Sequence, residues 1–294
     1  MKQPRTAATR DSAAPRPFAC SRAATGRQTQ REHLSPIDLP TVWVGGVRIH
    51  ALTEAQCVDY IIAQLSSGCG GWVVTLNLDH LRLFSQQPQY AALCAQASLT
   101  VADGMPLLWA SYLEAEPLPE RVAGSNLIWS LTAAAAKNGR AIFLLGGNPG
   151  TAEAAAAVLQ QRYPNLQVAG TLCPAIGFDD DAHEIAQLTR FVSTAAPDLV
   201  YVGLGKPKQD LLIKELRAKL PNVWFIGVGL SFSFVCGAVP RAPLWMQHLG
   251  LEWLHRLVLE PQRLAKRYLV YGVPVAVRLL TGAAIRRLRH PARS

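Results

Sequence analysis

The chain has 294 residues, half of them hydrophobic, six cysteines and a net charge of +9 at pH 7. That is long enough for one α/β domain of roughly 200 residues with appendages. The cysteines (20, 57, 69, 94, 173 and 236) form no Cys-x-x-Cys pair, and the seven histidines include only a loose 248/255 spacing, which excludes an obvious zinc or redox centre and fits buried thiols in a reducing cytoplasm.

Taken in chain order, residues 1–35 are rich in Arg, Ser, Ala and Pro with no apolar core, so they read as a disordered basic tail rather than a signal peptide, and the tail is drawn as residues 1–38. Val42–Val44 followed by Gly45-Gly46 reads as a short opening hairpin. A helix is predicted from Thr53, a candidate N-cap, to Ser66. Strands are predicted at 71–77, 99–102, 141–145, 167–171, 198–203 and 223–228. Helices are predicted at 79–84, 89–97, 125–137, 151–163, 184–193 and 209–220. Nearly continuous apolar strands alternating with helices predict a Rossmann-like, doubly wound α/β fold, with a mostly parallel sheet covered on both faces. A boundary falls near Pro240, where the charge changes sign: residues 36–240 carry −4 and residues 241–294 carry +8. The expected organisation is therefore a tail at 1–38, a body at 39–240 and a basic, helical appendage at 241–294.

Polar residues gather where the predicted strands stop, the edge at which doubly wound folds bind ligands. Thr75 and Asn77 end one strand, and their i, i+2 spacing puts both side chains on one face. Asp103 ends the next strand. Gly146, Gly147 and Gly150 lie between a strand and a helix, where backbone N–H groups can bind phosphate, although the loop matches neither Gly-x-Gly-x-x-Gly nor a Walker loop. Lys206, Lys208 and Gln209 follow the strand at 198–203. Plainer readings stand beside these: Thr75 and Asn77 as strand terminators, Asp103-Gly104 as an ordinary turn. Asp179-Asp180-Asp181 has the look of a metal clamp, but it precedes a helix and reads better as a helix start.

The end of the chain is more distinctive. Arg263 and Arg267 are four residues apart and share a helix face. Trp245, Trp253 and Tyr268 supply amphipathic rings suited to a lipid headgroup layer. The positive charge there calls for nucleic acid or an anionic membrane, and arginine's planar fork suits a diphosphate. Tyr268–Ile285 is apolar but interrupted by Gly272, Pro274, Arg278 and Gly282, so a spanning helix is not expected.

These residues resemble the WecG/TagA/CpsF glycosyltransferase family. The resemblance is carried, over roughly residues 41–270, by Thr75-x-Asn77, Ala102-Asp103-Gly104, Pro119-Glu-Arg121-Val-x-Gly124-Ser125, Phe143-Leu-Leu-Gly-Gly147, Pro197-Asp-Leu, Gly203-Leu-Gly205-x-Pro207-Lys-Gln209, Gly227-Val-Gly229 and Arg241-Ala-Pro-x-Trp-Met246 through Arg267-Tyr268. It implies an inverting transferase that needs no metal or other cofactor and lies on the cytoplasmic side of the inner membrane as a peripheral protein. The implied donor is a UDP-sugar, commonly UDP-N-acetylmannosamine. The implied acceptor is an undecaprenyl-diphosphate-linked sugar, often N-acetylglucosamine. By this resemblance Asp103 is the general base, and Thr75, Asn77, Arg121 and Gln209 are pocket residues. Asn126, Gly146, Gly147 and Ser233 are further substrate-binding positions, and Arg256, Arg263 and Lys266 are cations laid over the site by the appendage. The chain departs from the family pattern at Asn126, where Asp is frequent, at Asp210, where Glu follows the Lys-Gln pair, and at Ser233, where Phe-Asp-Phe is frequent.

A glucosyltransferase acting on glucose-diphosphate-undecaprenol is the alternative within the class. An NAD oxidoreductase lacks its glycine fingerprint here. A non-catalytic module binding lipid or nucleic acid would leave the strand-end polar cluster without a purpose, so membrane rather than nucleic acid is the expected anionic partner. A homo-oligomer is left open.

Overall fold

A computed structural model describes residues 39–289; the tail expected at residues 1–38 lies outside the described residues, as do residues 290–294. The chain opens with an antiparallel hairpin, β1 (Thr41–Val44) and β2 (Val47–His50), turned by Gly45 and Gly46 at φ 59° and 80°. Both turn positions need positive φ, which glycine adopts at no steric cost. Then come α1 (Glu54–Ser66), β3 (Gly71–Leu76), α2 (Leu78–Gln86), α3 (Pro88–Cys94), β4 (Leu99–Ala102), α4 (Met105–Leu113) and α5 (Gly124–Lys137). The order continues with β5 (Ala141–Gly146), α6 (Thr151–Arg162), β6 (Gln167–Leu172), α7 (Ala182–Ala195), β7 (Leu199–Gly203), α8 (Lys208–Lys219), β8 (Trp224–Gly227) and α9 (Ser231–Val235).

The main sheet has six strands in the order β4-β3-β8-β7-β5-β6, every pair parallel. Its strands alternate between two cores. Val73, Leu144, Tyr201 and Ile226 pack with α1, α5, α6 and α9 on one face. Trp72, Val74, Leu145, Val200 and Phe225 pack with α3, α4, α7 and α8 on the other. Period-2 alternation between two apolar faces is the pattern of a sheet buried on both sides. The neighbours β3 and β8 send the chain to opposite faces, into α2 and α9, which opens a crevice at their carboxyl ends.

α4 is not among the predicted elements. Its sequence, Met-Pro-Leu-Leu-Trp-Ala-Ser-Tyr-Leu, is apolar nearly all round, so no face stands out, and Asp103-Gly104 before it signals a turn. Pro106 fits because the first helical turn has no N–H bond to lose.

After the body come α10 (Leu244–His248), α11 (Glu252–Leu259), α12 (Pro261–Ala265), a π-helical stretch at Lys266–Gly272 and α13 (Val273–Arg289). From Pro261 to Arg289 the chain is one continuous helix of 29 residues, long and apolar enough by length and composition to cross a membrane. The expectation that Gly272, Pro274, Arg278 and Gly282 leave this stretch too short and too broken in apolar character for a span is corrected on length and composition, and a π-helical stretch carries the helix up to Pro274. This helix packs on the body through α4: Leu279 and Ala283 are its buried residues, and Arg286 Nε donates to Glu114 Oε1 at 2.9 Å.

Candidate active site

The polar residues predicted at strand ends converge on the carboxyl edge of β4, β3, β8 and β7. Asp103 follows β4, and its N–H donates to Leu76 O at 2.6 Å, which sets it beside the end of β3. Gly104 then takes φ 150° and ψ 136°, a conformation open essentially to glycine alone, and swings the chain into α4. The Asp103 side chain keeps 26% of its surface exposed. Val122 N–H donates to Ala102 O at 2.8 Å, so the preceding residue, Arg121, is held along the same edge, its Nη1 3.6 Å from Asp103 Oδ1. Burial raises the pKa of Asp103 above the ordinary carboxylate value. Arg121 and Lys206 pull it down, Glu252 pushes it up, Arg241 pulls it down, and the net shift is upward.

Asn77 caps α2, accepting at Oδ1 from the N–H of Asp79 (3.2 Å) and His80 (3.4 Å). The same oxygen accepts from Lys206 Nζ at 2.7 Å, so a side chain that follows β7 reaches across β8 to the end of β3. Lys206 lies 3.9 Å from Asp79 Oδ2, and Arg267 Nη2 meets that same oxygen at 3.0 Å. Burial depresses the Lys206 ammonium to a pKa of about 8, against the raising influence of Asp79 and other carboxylates. Burial acts to raise Asp79, but Lys206, Arg267 and a hydrogen bond from Arg82 outweigh it and hold the carboxyl below its usual range. His80, buried beside these cations, is held well below the ordinary imidazole value, first by desolvation and then by Lys206 and Arg267.

Thr75 and Gln209 stitch the strand ends together. Thr75 Oγ1 donates to Gly227 O at 3.4 Å, and the buried Gln209 accepts at Oε1 from Gly229 N–H at 3.4 Å. A Cβ on Gly227 would collide with the Gln209 amide, which is why the strand ends in glycine there. Thr75 and Asn77 both make hydrogen bonds of the kind that end a strand.

Gly146 and Gly147 turn out of β5 at φ 97° and 83°. Gly147 N–H donates to Gly203 O at 2.8 Å, so this amide is occupied within the fold, and a side chain at Gly147 would strike Phe232 of α9. Ser233, on α9, is buried at 1% exposure, and no side-chain contact joins it to the Asp103 cluster. Asn126 accepts at Oδ1 from Arg241 Nη2 at 2.5 Å, and Ser125 Oγ accepts from the same nitrogen at 3.0 Å. Asp181 caps α7, accepting from His183 N–H at 2.7 Å, as the helix-start reading expects, while Asp179 pairs with Lys208 at 2.7 Å. Among the described residues no group of three or more His, Cys, Asp or Glu side chains could hold a metal ion.

The model of the glycosyl transferase WecG/TagA/CpsF family matches residues 42–289. The chain belongs to this family. It is 30% identical over 207 residues to the N-acetylglucosaminyldiphosphoundecaprenol N-acetyl-beta-D-mannosaminyltransferase of Bacillus subtilis (strain 168), a match covering 70% of this chain and 78% of that protein. The chain is thus a glycosyltransferase.

In this glycosyltransferase the appendage meets the strand edge differently from the sequence expectation. Arg256 lies with its guanidinium 5.7 Å from the ring centre of Phe234, and its buried Nε has no hydrogen-bond partner. Arg263 is exposed and pairs with Glu260 at 2.5 Å, and Lys266 is exposed over Tyr271; neither is joined to the Asp103 cluster. Arg267 reaches the body instead, through Asp79. Among the side chains that the appendage brings to the Asp103 cluster is an acid, Glu252, 3.9 Å from Arg121 Nη1 and 3.6 Å from Arg241 Nε. Arg241 and Glu252 were given no role of their own from sequence, whereas Lys206 was noted at its strand end and Arg267 on the basic helix face. One signal pointed to Glu252: residues 241–294 hold ten cations and only two acids, Glu252 and Glu260.

Proposed function

We propose that this glycosyltransferase moves a sugar, N-acetylmannosamine or a close relative, from a UDP-sugar onto an undecaprenyl-diphosphate-linked sugar, with inversion and without a metal. The observation that carries the reading is Asp103: a part-exposed carboxylate with a raised pKa, at the carboxyl edge of a doubly wound sheet, in a chain similar to the mannosaminyltransferase named above. A carboxylate so placed is matched to general-base work. In the proposed step an acceptor hydroxyl oxygen attacks the anomeric carbon, Asp103 takes its proton, and the bond from that carbon to the diphosphate breaks, releasing UDP. Attack opposite the leaving group turns an α-linked donor into a β-linked product. The leaving diphosphate gains charge that fixed cations must stabilise. Lys206 and Arg267, which meet at one carboxylate oxygen of Asp79, are the candidates held at this edge.

Residues 39–240 would carry the chemistry and residues 241–294 would hold the protein to an anionic, cytoplasmic membrane face. The appendage exposes Trp245, Trp253, Leu254, Val258, Leu269 and Val270, an apolar surface beside Arg263 and Lys266, which suits a helix lying at the headgroup boundary. The packing of α13 on α4 and the Arg286–Glu114 pair support a peripheral rather than spanning placement.

UDP release measured over a panel of UDP-sugars, with a short-chain prenyl-diphosphate sugar as acceptor, tests the function. Acceptor-dependent release with UDP-N-acetylmannosamine is expected. Release only with UDP-glucose and a glucose-diphosphate acceptor would move the assignment to a glucosyltransferase, and no acceptor-dependent release from any UDP-sugar would overturn it.

A further inference from the structure

We propose that Glu252, on the appendage, is a positioning residue for the transfer step: it shares the Arg121 guanidinium with Asp103 and so keeps the base free for the acceptor hydroxyl. The inference rests on the reading of Asp103 as base. Arg121 Nη1 stands 3.6 Å from Asp103 Oδ1 and 3.9 Å from Glu252 Oε2, so one nitrogen faces two carboxylates and is within hydrogen-bond length of neither. Arg241 Nε stands 3.6 Å from the other Glu252 oxygen. Glu252 Oε2 and Arg241 Nε are both buried without a hydrogen-bond partner, so charge rather than directed bonding holds this chain of groups.

An arginine left with a single carboxylate closes on it as a bidentate fork and occupies the lone pairs that would otherwise accept a proton. Glu252 prevents this by pulling Arg121 the other way. Its negative charge also favours the protonated form of Asp103, which makes the ionised form a stronger base. The groups facing Asp103 are Arg121 from the segment between α4 and α5, Lys206 after β7, and Glu252 and Arg241 from the appendage. Those facing Glu252 are Arg121 and Arg241, and His255 lies one turn further along α11 with its Nδ1 buried and unpartnered. The docking is tight: Gly250, at φ 72°, leaves no room for a Cβ against Met105, two residues beyond Asp103. The body therefore supplies the base, and the appendage supplies the charge that keeps it available.

The test is the pH profile of kcat/KM for full-length Glu252→Gln, Glu252→Asp and Asp103→Asn on vesicles, with the donor selected by the panel and a short-chain acceptor. Glu252→Gln is expected to lower kcat about tenfold with donor KM changed less than about twofold, and to move the acid limb to lower pH. Glu252→Asp is expected to restore part of both. Should Glu252→Gln lose helical signal, Glu252→Asp carries the test through a smaller displacement of the limb in the same direction. A loss of rate with the acid limb unmoved would mean that Glu252 only docks the appendage, and would overturn the proposal while leaving Asp103→Asn inactive. Wild-type turnover by Asp103→Asn would overturn the base reading and this proposal together.

Discussion

The carboxyl edge of the sheet and the appendage that covers it are built on opposite rules. At the edge, side chains are committed to the fold: Asn77 caps α2 and receives Lys206, Thr75 and Gln209 tie three strand ends, and Gly147 lends its N–H to β7. In the appendage large apolar side chains face outward, with Trp245 60%, Val258 73% and Leu288 81% exposed. Folding alone fixes the first region. The second leaves large apolar side chains uncovered, the kind of surface that marks an interaction site, and the proposed function assigns it to a membrane. The two regions meet where Arg121 stands between Asp103 and Glu252, so the proposed base lies at the join between them.

The largest break in that comparison is removal of residues 241–294. Transfer to a vesicle-borne acceptor should fall at least about 100-fold, because the cations and Glu252 leave together and each lost basic contact weakens membrane binding by about 1 kcal/mol. Liposome flotation should be lost as well, while the full chain floats with anionic vesicles and fails to retard DNA. A truncated chain that still floats and turns over would show that the body binds membrane unaided.

A smaller effect is expected inside the preset half. Gly104→Ala must hold φ 150°, so it should destabilise the fold by about 2 kcal/mol in denaturant titration, with a matching loss of rate as Asp103 shifts. An unchanged midpoint would mean that the turn relaxes freely.

Acid–base behaviour should also belong to the edge. With Asp103 raised above the ordinary carboxylate range, the base is protonated and idle at low pH and ionised and active above its pKa. The acid limb of kcat/KM should therefore lie above that of a free aspartate, falling about tenfold per pH unit below it. Lys206, held near 8, loses its charge above that pH, so an alkaline limb near 8 that Lys206→Gln removes is expected. A profile flat from pH 5 to 9 would remove both groups from the step.

The smallest effect has the opposite sign. Gly282, in α13, has ordinary helical geometry, and a methyl there would meet only the flexible end of Arg286 at 3.3 Å. Gly282→Ala should raise helix stability by about 0.5 kcal/mol by thermal melting, since nothing at this position needs glycine. A destabilised variant would mean that α13 packs more closely than its exposure indicates.

The preset half was also the legible half. Five of the six sheet strands are apolar runs stopped by Asn, Asp or Gly, so their positions and the polar residues at their ends followed from local pattern, and Asp103 could be placed at a strand end from the sequence. What could not be read are the contacts that join distant segments. Lys206 reaching Asn77 and Glu252 facing Arg121 depend on strand order and on how α11 docks, neither of which has a local signature. The Arg263/Arg267 helix face was legible, but the turn that meets the body is decided by Leu264, the buried residue of α12, while Arg263 stays in solvent and Arg267 meets Asp79. α4 escaped because a helix apolar on all sides has no periodic face. The continuous helix through Pro274 escaped because a π-helical stretch absorbs a proline that sequence rules treat as a break.

The central claim is that Asp103 removes the proton from the acceptor. Single-turnover transfer by full-length Asp103→Asn on vesicles, set beside its donor affinity, tests this most directly. The isosteric amide cannot take a proton, so the transfer rate should fall by about three orders of magnitude while the donor dissociation constant stays within about threefold of the unsubstituted chain. Transfer at the unsubstituted rate, or a loss of rate fully explained by lost donor binding, would contradict the claim.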